Sequence, residues 1–142
     1  MTKTFVRVVF TAAVAAGVFV VLGGGATIAQ DKDKGLTIKD IMKAGHAGTD
    51  ALMTQAKNAA KDGKWDAAVA AAKSLDSNAA LLHKATPGKG TAESWEKNAG
   101  GYHKNTSALL AAAEKKDADG VSSSVKAISA SCKNCHSAHK GK

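Results

Sequence analysis

Apolar residues recur at helical spacing along most of this chain, and nowhere do they alternate as they would in a half-buried strand. The periodic segments cover residues 38–60, 65–82, 95–113 and 121–136. Thr37 and Asp40 form a capping-box pattern at the start of the first segment, and Thr91 is a candidate N-cap for the third. Four helices with short connections predict an all-α protein, an antiparallel up-down-up-down four-helix bundle.

The N-terminal stretch differs from the rest in composition. It opens with Lys3 and Arg7 and no acidic residue, continues with an apolar run over residues 8–22 and ends in small residues up to Ala29. This order is typical of a secretory signal peptide cleaved after Ala29. The alternative is a retained anchor, because residues 8–29 approach the ~20 residues that span a bilayer. We therefore predict a signal peptide over residues 1–29, a domain over residues 30–142, and a periplasmic protein without stable membrane insertion.

The mature chain is basic, with 18 lysines against 12 acidic residues and a formal charge of +6 once Lys3 and Arg7 are removed. The lysines are scattered, no arginine follows Arg7, and the large aromatic residues are Trp65, Trp95 and Tyr102 alone. Nucleic-acid-binding proteins usually combine a basic patch with arginines or stacking aromatics. The composition therefore argues against nucleic acid as a partner and favours, at most, docking to an acidic protein.

Large apolar residues are scarce in the mature chain. Eighteen such residues are spread over 113 positions, whereas alanine occurs 24 times. Small domains with so thin a core usually need a disulfide, a metal or a cofactor for stability. The composition favours a large flat apolar group packed among alanine-lined helices.

The two cysteines of the chain lie near its end in "CKNCH", where Cys132 and Cys135 precede His136. This spacing is the attachment motif of c-type haem. Residues three apart share one helix face, so both thiols can add to the vinyl groups on one porphyrin edge. The adjacent imidazole can then ligate the iron. The motif predicts one covalent haem c, with thioethers from Cys132 and Cys135 and with His136 as the proximal iron ligand.

Other chemistries use similar residues. A redox-active disulfide of the thioredoxin type belongs near a βαβ unit, which the helical pattern does not predict. A structural zinc needs four ligands, and the tight helical spacing of the two cysteines, His136 and His139 would strain a tetrahedron. A haem-free helical protein with a Cys132–Cys135 disulfide is a further alternative. No Gly-rich phosphate loop or catalytic triad occurs, so no enzymatic activity is predicted.

An exported four-helix bundle with Cys-x-x-Cys-His near its C-terminus resembles the class II c-type cytochromes, the cytochrome c-prime family. The class I fold carries this motif near its N-terminus instead. Within "CKNCHSAHK", Lys140 matches the basic residue, usually arginine, that family members commonly have four positions after the proximal histidine. An aromatic residue often precedes that position in the family, where this chain has His139.

The second stretch that carries the resemblance is "IKDIMKAGHAG". Low-spin members of the family use a methionine in a similar "VMK" setting as the sixth iron ligand, and Met42 falls at that position. High-spin members have a non-ligating residue there and leave the site open. The resemblance thus implies that Met42 is the distal iron ligand. His46 and His83 are the rival ligands, and an absent sixth ligand is the remaining alternative.

The predicted topology supports Met42, because the start of the first helix is level with the end of the fourth. Met53 would lie roughly 16 Å further along a continuous helix and is predicted to belong to the core. Gly45 is predicted to let the helix pass close to the porphyrin.

Closed His/Met ligation predicts a monohaem electron carrier whose lysines dock acidic redox partner proteins. The alternative is a high-spin cytochrome c-prime-type protein whose open distal site binds NO or CO. The oligomeric state stays open, and family members that dimerise do so through their first two helices.

Overall fold

The computed structural model describes residues 35–140, and the predicted signal peptide over residues 1–29 lies outside them. Five helices are present: α1 (Ile38–His46), α2 (Leu52–Lys61), α3 (Trp65–Lys84), α4 (Ala92–Glu114) and α5 (Ala118–His139). The described part contains no strand, so the predicted all-α class is confirmed. None of the helices within residues 35–140 combines the length and the apolar character that crossing a bilayer requires.

The prediction of one continuous first helix is wrong. The helix ends at His46, and Ala47 and Ala51 both have extended backbone at the two sides of the break. Gly48 adopts a φ of +79°, which favours glycine and turns the chain between α1 and α2. Met42 and Met53 therefore lie on different helices, and the distance that was estimated along one helix does not apply.

The predicted helix starts are confirmed by their hydrogen bonds. The Thr37 hydroxyl oxygen accepts from Asp40 N–H at 3.2 Å, and Asp40 Oδ2 accepts from Thr37 N–H at 3.1 Å. Thr91 caps α4 through Ser94 N–H at 3.2 Å. Asp117 caps α5 in the same way. Each such cap stabilises its helix by roughly 1 kcal/mol.

Alanine dominates the interior of the bundle. Helix α3 packs between α2 and α4, α5 packs on α4 and touches α2, and α1 lies on α2 and α3. Ten of the eighteen buried hydrophobic residues are alanines. The largest fully buried apolar side chains are Ile41, Leu75, Leu109 and Ile128. Few large side chains are thus available to fill the space between the helices, as the composition predicted.

The two glycines inside α4 have different surroundings. A Cβ at Gly100 would lie 3.2 Å from His83 Nε2, so the missing side chain lets α3 and α4 approach closely. No atom lies within 4 Å of a Cβ at Gly101, and nothing in the structure explains that glycine. Gly100 therefore offsets part of the helix-propensity cost of roughly 1 kcal/mol through packing.

Candidate functional site

A cavity of about 560 Å³ lies beside the C-terminal part of α5. Cys132, Cys135 and His136 line it from α5, and Met42 and His46 line it from α1. Its volume is within the range of about 300–1,000 Å³ that is usual for small-molecule and cofactor sites. Residues separated by about ninety positions in the chain thus meet at one cavity.

The remaining wall of the cavity is mainly apolar. Leu82 from α3 and Trp95 and Tyr102 from α4 contribute to it, and each of the three is at most 6% exposed. Trp95 and Tyr102 lie seven positions apart within the periodic segment that the sequence predicts over residues 95–113. The inner wall of the cavity would therefore offer a ligand mainly apolar contacts that exclude water.

Both cysteines are free thiols and half-buried. The Cys132 Sγ lies 3.5 Å from the carbonyl oxygen of Ile128, one turn earlier in the helix. Burial raises the pKa of the Cys135 thiol, and the neighbouring Cys132 raises it further. The two side chains stand three positions apart on the cavity side of α5, which is the arrangement that the motif predicts.

His136 lies at the exposed rim of the cavity. No group within residues 35–140 forms a hydrogen bond with its imidazole, whereas the rings of His46, His83 and His139 are hydrogen-bonded and that of His103 lies 3.6 Å from Asp76 Oδ1. Both of its ring nitrogens are therefore available for a metal ion or another ligand.

The two methionines of the described residues have different positions. Met42 is half-buried and lines the cavity. Met53 packs against the buried core and does not line the cavity, so its predicted core role is confirmed, although it lies on α2 and not on the helix that carries Met42. Of the two thioethers, that of Met42 is the one that faces the same space as the cysteines.

His46 is bound to α4 by one of its nitrogens. Its Nε2 lies 2.9 Å from the Tyr102 hydroxyl, and the two rings meet edge-on at 5.6 Å. Burial lowers the pKa of His46, and the nearby His136 lowers it further. Burial raises the pKa of Tyr102, with smaller contributions from Cys132 and Asp76, so its hydroxyl keeps its proton. The predicted rival ligand is thus a neutral imidazole at the cavity wall.

His83, the other predicted rival, does not line the cavity. Its Nε2 lies 2.8 Å from Glu96 Oε1, and its ring faces Gly100 and lies 6.1 Å from the ring of His103. Gly45 does not line the cavity, and a Cβ there would lie 3.1 Å from Leu75 and 3.6 Å from the hydroxyl of Tyr102, which does line it. The close approach at Gly45 serves the contact of α1 with the core.

His139 is the site residue whose contacts the sequence did not reveal. Its Nδ1 lies 2.8 Å from the Lys89 carbonyl oxygen, and its Nε2 lies 3.0 Å from Ser94 Oγ. Its ring meets the buried Trp95 edge-on at 5.1 Å. The sequence singles out this histidine as a candidate zinc ligand and as a departure from the aromatic residue of the resembled family, but its partners lie 45 and 50 positions away.

No group of three or more His, Cys, Asp or Glu side chains within residues 35–140 is arranged to hold a metal ion. The zinc alternative needs such a group, and both nitrogens of His139 are engaged elsewhere. A haem iron needs only one or two protein ligands, so this observation does not bear on it.

Two buried polar atoms lack a hydrogen-bond partner in the described region, His46 Nδ1 and Trp95 Nε1, and both side chains line the cavity. Unpaired buried polar groups are rare because each costs free energy. An indole N–H can only donate a hydrogen bond. A mainly apolar group that also has hydrogen-bond acceptors therefore fits the residues around the cavity.

Lysines surround the opening of the cavity. Lys39 and Lys43 line it from α1, and Lys140 lines it from the end of α5. None of the described residues that line it is acidic, and α5 has no acidic residue after Asp119. The rim is therefore a cationic surface that attracts anionic groups.

Comparison of the chain with protein-family models, with curated proteins and with solved structures found no match. The resemblance to class II c-type cytochromes therefore stays a prediction, based on two short stretches and on the helical pattern.

Proposed function

We propose that this protein is a monohaem c-type cytochrome of the periplasm that carries electrons and catalyses no reaction of its own. The observation that carries the proposal is the convergence of Cys132, Cys135, His136 and Met42 on one mainly apolar cavity. Two thiols, an imidazole and a thioether are the side chains that a covalently attached, six-coordinate haem requires. A haem is also mainly apolar with carboxylates at one edge, which matches the unpaired N–H of Trp95.

In this proposal each residue has a separate task. Cys132 and Cys135 hold the cofactor through thioethers, and His136 and Met42 ligate the iron. When bound, the haem supplies one-electron chemistry at its iron. A thioether ligand and an apolar surrounding raise the reduction potential, and both come from residues of this chain.

We also propose the up-down-up-down arrangement, with α1 and α2 together forming its first arm. The support is the sequential packing of α2 on α3, α3 on α4 and α4 on α5, and the contact between α2 and α5. The connections over residues 62–64 and 115–117 are short, which favours antiparallel neighbours.

The partners in this proposal are acidic redox proteins, which dock at the cationic rim. Lys39, Lys43 and Lys140 surround the opening, so an acidic partner would be attracted to the side of the cavity from which electrons would be transferred. Such contacts are small and transient. Export requires the N-terminal segment, which is the predicted signal peptide over residues 1–29.

The test is the mass and the optical spectrum of the full chain expressed together with a cytochrome maturation system. We expect a mass increase of one haem that persists under denaturing conditions and disappears in the Cys132→Ala/Cys135→Ala variant. We expect sharp reduced bands and, in the oxidised form, the weak long-wavelength band of iron–thioether ligation. A haem-free protein with a Cys132–Cys135 disulfide would contradict the proposal.

Met42→Ala tests the distal ligand, and Met53→Ala is its matched control because Met53 packs on the core outside the cavity. We expect loss of the long-wavelength band and binding of carbon monoxide in Met42→Ala only. Sharp bands without that feature in the unchanged protein would indicate His46. A broad high-spin spectrum that responds to carbon monoxide in the unchanged protein would favour NO or CO binding over electron transport.

A further inference from the structure

The last turn of α5 is tied to a distant part of the chain by one side chain. Both ring nitrogens of His139 have partners, the Lys89 carbonyl oxygen at 2.8 Å and Ser94 Oγ at 3.0 Å. The first partner lies in the α3–α4 connection, and the second lies in the first turn of α4. One imidazole therefore joins three segments that meet at the cavity.

The chemistry of these partners determines the tautomer of the ring. A carbonyl oxygen can only accept, so Nδ1 of His139 carries the hydrogen and donates it to Lys89. In the neutral imidazole Nε2 is then an acceptor for the Ser94 hydroxyl. Ser94 is itself held, because its N–H donates to Thr91 Oγ1 at 3.2 Å.

Gly90 completes this contact from the side of the α3–α4 connection. It adopts a φ of +86°, and a Cβ there would lie 2.5 Å from His139 Nδ1 and 2.9 Å from the Ala138 carbonyl oxygen. Any larger residue would therefore push the connection away from α5. The hydrogen bonds of His139 therefore require a residue without a side chain at position 90.

The same ring also contacts the cavity wall. Its edge meets Trp95 at 5.1 Å with ring planes at 84°, a favourable aromatic arrangement. Trp95 and His139 both line the cavity. On the other side of the same turn, the Lys140 N–H donates to the His136 carbonyl oxygen at 3.0 Å, so the turn held by His139 includes His136.

We infer that His139 is a positioning residue, which holds the last turn of α5 against α4 and thereby fixes the orientation of His136 and Cys135 at the cavity. The His136 imidazole has no hydrogen-bond partner within residues 35–140, so its direction depends on the backbone that carries it, where the His136 carbonyl oxygen accepts from Lys140 N–H. The inference rests on the proposed function only in taking His136 as the iron ligand. The clamp formed by His139, Lys89, Ser94 and Gly90 exists with or without a ligand.

The experiment compares two variants that open the clamp from opposite sides. His139→Phe keeps a ring beside Trp95 and removes both hydrogen bonds, and Gly90→Ala places a methyl group against the unchanged histidine. Ser137→Ala is the control within the same turn, because its hydroxyl bonds only to Asn134 of its own helix. Gly63→Ala is the control for backbone strain, because it also has a positive φ, of +71°, but open space around a Cβ.

Two measurements are made on each haem-loaded full chain. The first is amide hydrogen exchange at residues 138–140, which we expect to become about tenfold faster in His139→Phe and Gly90→Ala, the effect of one to two lost hydrogen bonds. The second is the reduction potential together with the electron paramagnetic resonance of the oxidised iron. His139→Phe should shift the reduction potential in the same direction as Gly90→Ala does, and both variants should change the resonance. Neither control should change the potential or the resonance.

Unchanged exchange in both variants would overturn the clamp. Faster exchange with an unchanged potential and resonance would overturn the positioning role, because the clamp would then only stabilise the helix end. If the unchanged chain takes up no haem, the proposed function fails and the role toward the iron ligand fails with it. Exchange in the haem-free chain still reports separately on whether His139 holds the turn.

Discussion

The two helices that bring predicted ligands to the cavity are held in place by different means. α5 has 22 residues, packs along α4, and forms three long-range side-chain hydrogen bonds within the described region, one through Ala127 and two through His139. α1 has 9 residues, is followed by a turn at Gly48, and forms one such bond, between His46 and Tyr102. The wall with the cysteine motif is therefore fixed at several points along its length.

This difference bears separately on the attachment of a cofactor and on the identity of its distal ligand. The proposed proximal side, with Cys132, Cys135 and His136, depends on a long helix that packs along α4 and also contacts α2. The proposed distal side depends on a short helix whose buried residues are Ile41 and Gly45. We therefore expect attachment of a cofactor to tolerate substitutions better than the identity of its distal ligand does.

The largest expected effects come from truncating the buried isoleucine on each side. Ile41 of α1 is 1% exposed and Ile128 of α5 is 0% exposed, so Ile41→Ala and Ile128→Ala should each cost about 2–5 kcal/mol of unfolding free energy. The two variants should differ in the spectrum. Ile41→Ala should weaken the iron–thioether band, because α1 loses its main buried contact, whereas Ile128→Ala should retain that band.

Chemical denaturation and the oxidised spectrum, measured on the same samples, check this prediction. Loss of the band to the same extent in both variants would show that the cavity walls formed by α1 and α5 are equally sensitive to lost packing. The proposed difference between the two helices would then be wrong. Leu109→Ala on α4, which is 0% exposed and lies outside the cavity lining, controls for a general loss of packing.

Most of the helical structure was predictable, because it follows from local pattern. Trp95, Tyr102 and Leu109 recur every seven positions in the periodic segment predicted over residues 95–113, and all three are buried. The caps at Thr37 and Thr91 depend on residues three positions apart and are present. Such features are encoded within one helical turn, so they can be recognised without tertiary information.

The break between α1 and α2 was missed because apolar periodicity continues across it. Ile41 and Gly45 before the break and Ala56 after it are all buried, so the pattern alone indicates one helix. The break lies at the turn-forming sequence of residues 48–50, which begins with Gly48 at φ +79°. A glycine inside a periodic segment is compatible both with a helix break and with an uninterrupted helix, because Gly100 lies within a continuous α4.

The candidate site was predictable where a short motif carries the chemistry, and not where distant segments meet. Cys132, Cys135 and His136 were identified by their spacing, and Met42 by its setting in the resembled family. The bonds of His139 and His46 join residues 45 to 56 positions apart, so no local pattern contains them. The position of His83 away from the cavity likewise follows from its pairing with Glu96 across two helices.

A smaller effect is expected from the single long-range bond of α1. Tyr102→Phe leaves His46 Nε2 without the hydroxyl at 2.9 Å and should cost roughly 1 kcal/mol of unfolding free energy. The released imidazole should compete with the Met42 thioether, so part of the long-wavelength band should disappear. The double variant Tyr102→Phe/His46→Phe removes that competitor and should restore the band.

Denaturation of the four members of this double-mutant cycle gives the coupling between Tyr102 and His46. A coupling free energy near zero would mean that the Tyr102 hydroxyl does not hold α1. The difference between α1 and α5 would then depend on packing alone. Asn105→Ala, which removes the 3.3 Å bond to Ala127, is the corresponding change at α5 and should leave the spectrum unchanged.

The smallest expected effect concerns the charge that α1 adds to the rim. Lys39→Gln/Lys43→Gln should slow reduction of an anionic reagent such as ferricyanide by roughly two- to fivefold at low ionic strength, because fewer cations attract the reagent to the opening. Lys57→Gln/Lys61→Gln on α2 removes the same charge at exposed residues that do not line the cavity. The difference between the two pairs should vanish at about 1 M salt, where the screening length is about 3 Å. Equal slowing by both pairs would mean that only the net charge of the protein matters, and that neither wall forms a localised docking surface.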